Sequence, residues 1–159
     1  MRQVERSYSG RSNLAGEDWL ALPASVRWSR KAVKVMITGV VQAREGRIRL
    51  TVRGPRRQDR AIEAVVDTGY TASLSLPPTL VASLGLRWKS FGRGILADGS
   101  ECLFDVYVSK VLWDGKECRV LVDEADTDPL VGMALLSGYE LKMQVRSRGK
   151  VTIKRLPRR

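Results

Sequence analysis

Histidine is absent from the 159 residues. That excludes Ser-His-Asp and Cys-His nucleophilic catalysis as usually built. It also excludes His-ligated zinc, and the two cysteines, Cys102 and Cys118, cannot complete a Cys-only zinc site. Two cysteines are likewise too few for a disulfide framework. No uncharged apolar run approaches about 20 residues, so no segment reads as a membrane-spanning helix. The N-terminus has charges but no apolar h-region with a small-residue cleavage site, which excludes a secretory signal. The expected location is the cytoplasm, with no membrane partner. The catalytic inventory that remains is carboxylates, Lys, Tyr and a Ser-Lys pairing. Carboxylate chemistry on an activated water is the simplest of these.

Hydrophobic residues make up 43% of the chain, enough for a core and against wholesale disorder. The net charge is +11 and much of it is local. Arg44 to Arg60 carries seven Arg against Glu45 and Asp59, and the tail from Arg146 onward is also basic. An acidic stretch, Asp123 to Asp128, opposes them and reads as a loop. Arg47, Arg49 and Arg53 alternate with Ile48, Leu50 and Val52, the pattern of a strand with one wet face. A nucleic-acid partner is the alternative reading of such a basic strip. Aromatics are only 6%, and none interleaves with these Arg residues to stack on bases, so nucleic acid is not the expected partner.

Residues 1–35 differ from the rest. Met1 to Gly16 is polar and reads as disordered. Asp18 to Lys34 carries Trp19, Leu20, Leu22, Val26 and Trp28, is broken by Pro23, and is compatible with a short helix although no clean period holds. At Met36 the composition changes. We therefore expect a poorly structured extension over 1–35, either an over-extended gene start or a loose appendage, and one domain over 36–159. Intact mass of the native protein tests this; a mass that includes Met1 to Val35 would sink the idea of a start at Met36.

From Met36 the chain reads as all-β, a closed or partly closed barrel with one or two short helices. Strands are expected near 37–43, 46–53, 60–66, 102–113, 117–122, 139–146 and 150–155. Tight turns are expected at Gly54-Pro55, Asp114-Gly115 and Arg148-Gly149. The Asp114-Gly115 turn sets a register with Cys118 opposite Val111, so both cysteines read as reduced, mostly buried thiols. Short helices are expected near Pro78 to Leu84, with Gly85 as its stop, and near Met133 to Ser137, stopped by Gly138. Trp88 and Trp113 read as packing residues.

The apolar run Ala64-Val65-Val66 ends in Asp67-Thr68-Gly69. Taken alone, that tripeptide reads as a β-turn, with Asp starting it and Gly supplying a positive φ. It does not stand alone. Leu74-Ser75-Leu76-Pro77 and the first short helix follow. A polar hairpin tip, Ala97-Asp98-Gly99-Ser100, comes next, between Ile95-Leu96 and Cys102-Leu103-Phe104. Leu130-Val131-Gly132 then leads into the second helix.

This order resembles the retropepsin-like aspartic proteases, single-domain relatives of pepsin that include retroviral proteases and a set of small bacterial and archaeal proteins, over about residues 36–155, and it is most like the bacterial members. The stretches AVVDTGYTASLSLPPTLVASLGL, ILADGS and DPLVGMALLSGYEL carry the resemblance. It implies an aspartic endopeptidase active as a homodimer, with Asp67 of each chain as the catalytic carboxylate and no metal or organic cofactor. It implies that Thr68 braces the two active-site loops against each other and that Gly69 leaves room for close backbone approach. Leu130, Val131 and Gly132 would support the catalytic loop from behind. Ile95, Leu96, Ala97, Asp98, Gly99 and Ser100, continuing to Glu101, would form a flap over a peptide or protein substrate. Leu74, Leu76, Ile95 and Leu96 are the candidates for apolar side-chain pockets.

The chain departs from the retroviral pattern at Tyr70, where a small Ala or Ser is usual. A bulky side chain there is expected to narrow the cleft or to change how the substrate backbone is held. It motivates the alternative of a catalytically silent, dimeric peptide-binding module.

Overall fold

A computed structural model describes residues 7–8, 36–95 and 99–157. Eleven strands and two short helices follow one another in these residues. They are β1 (Ser7–Tyr8), β2 (Ile37–Gln42), β3 (Glu45–Arg53), β4 (Asp59–Val66), β5 (Leu74–Leu76), α1 (Pro78–Leu84), β6 (Arg87–Ile95), β7 (Glu101–Trp113), β8 (Lys116–Glu124), β9 (Leu130–Val131), α2 (Met133–Leu136), β10 (Tyr139–Met143) and β11 (Lys150–Arg155). The all-β class expected from the sequence holds.

β3 shows how pattern becomes architecture. Gly46, Ile48, Leu50 and Val52 are buried, and the charged or polar residues between them are not. That is the two-residue alternation of a half-buried strand. One edge of β3 pairs with β4 along its length, from Arg47↔Val65 to Arg53↔Asp59. The other edge is shared. Its first part pairs with β2, and Thr51 to Arg53 pair with β7. This last pairing joins the ends of the series β3, β4, β9, β5, β8, β7 into a ring of strands.

The ring encloses the core. Val52, Leu74, Leu76, Val106, Val111, Val122 and Val131 have no appreciable exposure. β11 lies between β2 and β10 and adds the buried Val151 and Ile153 to the same cluster. Trp113 is buried and meets Tyr139 edge-on, with ring centroids 5.9 Å apart. Arg155 lies over the Tyr139 ring and donates to Asp114 at 2.7 Å, which ties the β7–β8 turn to β10 and β11. Burial of its phenol raises the pKa of Tyr139.

The turns follow the expected chemistry. Asp114 (φ 50°) and Gly115 (φ 73°) join β7 to β8, and the register places Val111 opposite Cys118 as expected. Both cysteines are free thiols and half-buried rather than fully buried. Gly54 accepts from the Arg57 amide at 3.1 Å, closing the turn after β3. Pro78 opens α1 and Gly85 (φ 55°) ends it.

Several expectations need correction. The chain forms strands at β5, β6 and β9 that the sequence reading did not assign as such. β10 stops at Met143, because Gln144 to Gly149 turn back to β11. Asp123 and Glu124 belong to β8, so the acidic loop begins only at Ala125. Leu74 and Leu76, expected to line apolar side-chain pockets, are core residues with no exposure. Of the 1–35 extension, Ser7 and Tyr8 pair with Arg93 and Gly92 of β6. The rest of the extension, with its possible helix, lies outside the described residues. No helix among the described residues is long and apolar enough to cross a membrane.

Candidate active site

β4 ends at Val66, and the loop 67–73 runs from it to β5. β9 lies between those two strands. It is parallel to β4, with Val66↔Val131, and antiparallel to β5, with Leu74↔Val131. Both stems of the loop are therefore stitched to one two-residue strand. The Val65 amide donates to the Pro129 carbonyl at 2.8 Å, and the Asp67 amide donates to the Val131 carbonyl at 2.9 Å.

The start of α2 completes the hold. The first amides of a helix have no partner inside the helix. Here they find the loop. Gly132 donates to the Ser73 carbonyl at 3.1 Å, Met133 to Tyr70 at 2.8 Å, and Ala134 to Ala72 at 3.1 Å. Gly132 is required for this approach. A Cβ on it would lie 2.3 Å from the Ala72 carbonyl oxygen and 2.4 Å from the Tyr70 carbonyl oxygen. The structure thus brings Asp67, Thr68 and Gly69 together with Leu130, Val131 and Gly132 in one interlocked unit.

Asp67 is half-buried at the head of the loop, and Thr68 and Gly69 are exposed at its tip. The Asp67 Oδ1 accepts from the Gly69 amide at 2.8 Å, and the Asp67 carbonyl accepts from the Tyr70 amide at 3.3 Å. These bonds hold the carboxylate in a defined orientation while leaving it reachable. A reachable carboxylate on a rigid loop can act as a general base or, when protonated, as a general acid.

The Tyr70 side chain, expected to narrow the cleft or to change how the substrate backbone is held, packs within its own chain. Its ring lies against Gly132, where its Cδ1 sits 2.4 Å from the position of a Cβ on that glycine. Its hydroxyl reaches Asp123 Oδ2 at 2.7 Å and the Leu74 carbonyl at 3.0 Å. Asp123 is 4% exposed. Sequence reading missed it because it was counted into a polar loop. The available signal was its place in the register of β8, where it pairs with both Val106 and Ser75.

The hairpin β6–β7 carries the remaining candidates. Ile95 ends β6 and is half-buried, while Gly99 and Ser100 lie exposed before β7. Leu96, Ala97 and Asp98 lie outside the described residues. Beyond Val106 the hairpin leaves β8, so its outer part is bonded through β6, β7 and the short β1. On one side, Trp88 and Phe91 meet edge-on at 5.2 Å, and the Trp88 indole donates to Asp105 at 2.7 Å. Trp88 is 52% exposed, so unlike Trp113 it is not a core residue.

Two of the seven Arg residues of the basic strip are engaged by acids. Arg47 meets Glu45, Glu63 and Asp128, and Arg53 meets Asp59 and Glu117. These hydrogen bonds raise the pKa of both guanidinium groups and lower that of Asp59. Asp128 directly precedes the Pro129 to Gly132 segment, so Arg47 also anchors the approach to β9. A groove of about 720 Å³ lies elsewhere, lined by Val40, Arg49, Leu112 and neighbours of β2 and β3, and Asp67 does not border it.

No protein-family model and no curated protein sequence matches the chain. Among solved structures it is similar to the crystal structure of a retropepsin-like aspartic protease from Rickettsia conorii. The two share 16% identity with a TM-score of 0.44, and the match covers 77% of this chain and 93% of that chain. A likeness that distant transfers no chemistry from one chain to the other.

Proposed function

We propose that this chain is a retropepsin-like aspartic endopeptidase that works as a homodimer and takes one Asp67 from each protomer. The observation that carries the reading is the interlocked loop. A half-buried, oriented Asp67 follows a core strand, and its loop is clamped by the Leu130-Val131-Gly132 segment and the start of α2. The order of motifs in the sequence points the same way.

Two carboxylates about 3 Å apart cannot both ionise comfortably, so the pair holds one proton between them. The charged member takes a proton from a bound water as that water attacks the scissile carbonyl carbon. The protonated member donates to the carbonyl oxygen. The tetrahedral intermediate then collapses with proton transfer to the leaving amine. The apparent pKa values belong to the pair, not to either chain. Thr68 braces one loop against its copy, and Gly69 permits their approach. The segment Ile95 to Ser100 closes over an extended peptide whose main chain pairs as an added strand. The substrate is a peptide or protein, no metal or organic cofactor takes part, and the enzyme acts in the cytoplasm.

The silent peptide-binding alternative rested on a Tyr70 that obstructs the cleft. The bond of that residue to Asp123, inside its own chain, speaks against such an obstruction. The nucleic-acid alternative rested on the basic strip, where Arg47 and Arg53 are already ion-paired.

The test is peptide-library cleavage from about pH 4 to about pH 7, with the full chain compared with Asp67→Asn. Cuts by the first and none by the second support the proposal, with a loss of at least about a thousandfold in kcat for a reacting group. Sedimentation under the same conditions must show a dimer. A folded, dimeric wild type that cuts nothing moves the reading to the peptide-binding module.

A further inference from the structure

We infer that Tyr70 and Asp123 form a positioning pair that sets the Asp67 loop from inside the single chain. This rests on the reading of Asp67 as the reacting carboxylate. The backbone bonds already described fix both stems of the loop and the carbonyls of Tyr70, Ala72 and Ser73. Tyr70 adds a side-chain hold at the centre. Its ring covers Gly132, and its hydroxyl joins the loop to two neighbouring strands at once. The one phenol proton is shared between two acceptors, Oδ2 of Asp123 in β8 at 2.7 Å and the carbonyl of Leu74, the first residue of β5, at 3.0 Å.

β5 and β8 pair in parallel, with Ser75 opposite Asp123, so both acceptors sit on one rigid patch of sheet. A buried carboxylate is costly unless it is hydrogen-bonded. Asp123 is 4% exposed, and the Tyr70 phenol is one of the groups that meet it. A hydrogen bond in such a dry place is stronger than one in water and narrows the geometry it joins. Tyr70 is three residues from Asp67, and its amide donates to the Asp67 carbonyl. Rotation of the loop would therefore have to break the phenol contact, the ring packing on Gly132, or both. Neither residue touches substrate in this account; the pair acts through the loop.

The test removes only the hydroxyl, in Tyr70→Phe, and weakens only the acceptor, in Asp123→Asn. Hydrogen exchange is read at the amides of Asp67, Gly69, Tyr70, Gly132, Met133 and Ala134, with those of β3 and β7 as internal controls. Tyr70→Phe is expected to speed exchange at the loop and α2 amides about tenfold, the cost of one buried hydrogen bond, and to leave the controls unchanged. Asp123→Asn is expected to fall between wild type and Tyr70→Phe. The double variant should be no faster than Tyr70→Phe, because the two residues act through one bond. In cleavage assays Tyr70→Phe is expected to lower kcat and leave KM in place.

Unchanged loop exchange in Tyr70→Phe overturns the inference. So does equal acceleration of loop and controls, which would make the phenol a contributor to global stability only. If Tyr70→Phe does not fold, Asp123→Asn alone decides, and exchange there identical to wild type overturns it. The two readings fail separately. A wild type that cuts no peptide ends the protease proposal but leaves the loop result standing. An active enzyme with unchanged loop exchange in the variants ends the positioning pair.

Discussion

Gly132 has φ −107°, a backbone conformation open to any residue. Space, not conformation, demands glycine there, because a Cβ would meet the backbone carbonyl oxygens of Tyr70 and Ala72 as well as the Tyr70 ring. Gly132→Ala is expected to destabilise the fold by about 1–3 kcal/mol or more, as overpacking against backbone does. A lower urea midpoint at unchanged m value would show it. Asp59 gives a prediction for pH. Its hydrogen bonds to Arg53 hold its pKa below the ordinary 3.8. Its contribution is therefore complete above the unfolded value and fades as pH falls through the lower, folded value. Between about pH 5 and about pH 2, Asp59→Asn should lose less stability than wild type in denaturation curves. The pair is partly exposed, so the difference will be small. Asp67 and Gly132 were both legible in the sequence as members of motifs. The Tyr70–Asp123 bond was not, because it joins residues 53 positions apart and depends on the register between β5 and β8.

β3 and the β7–β8 hairpin were legible because hydrophobic alternation and an Asp-Gly turn each dictate a local geometry. β6 was not, for a physical reason. Its buried positions are Ser90, Gly92 and Gly94, while its exposed ones include Trp88 and Phe91. Small residues face inward because a neighbour fills the space: a Cβ on Gly92 would lie 2.2 Å from the Phe104 ring. A strand whose inner face is built from glycine and serine carries no hydrophobic period. β9 is two residues long and exists as a strand only through its two neighbours. α1, by contrast, was readable at both ends, and its stop is testable. Gly85 lies at φ 55°, and the nearest atom to an added Cβ is 3.7 Å away. Gly85→Ala should therefore cost about 1 kcal/mol through backbone conformation alone, with no steric clash. The fall in melting temperature should be well short of that for Gly132→Ala.

The ring of strands makes the molecule's stability a shared property. Leu74 pairs across to Val131 on one side and Val122 on the other, with no exposure. Leu74→Ala is expected to cost about 2–5 kcal/mol, read from the urea midpoint, because a cavity at that point is lined by three strands that cannot collapse independently. The sheet outside the ring depends on pairings between distant parts of the chain. β2 takes β3 on one edge and β11 on the other, with Val40 opposite Lys150 and Ile37 opposite Ile153. Topologies dominated by such non-local pairing fold in milliseconds to seconds rather than microseconds. In a cell the same pairing sets an order of events. Roughly a hundred residues are translated between the completion of β2 and the emergence of β11, about 5–20 s of synthesis. Throughout that interval β2 presents an unfilled edge, and β10, made just before β11, has no strand partner until β11 follows it. A ribosome-bound chain therefore cannot close its outer sheet until β11 has been made.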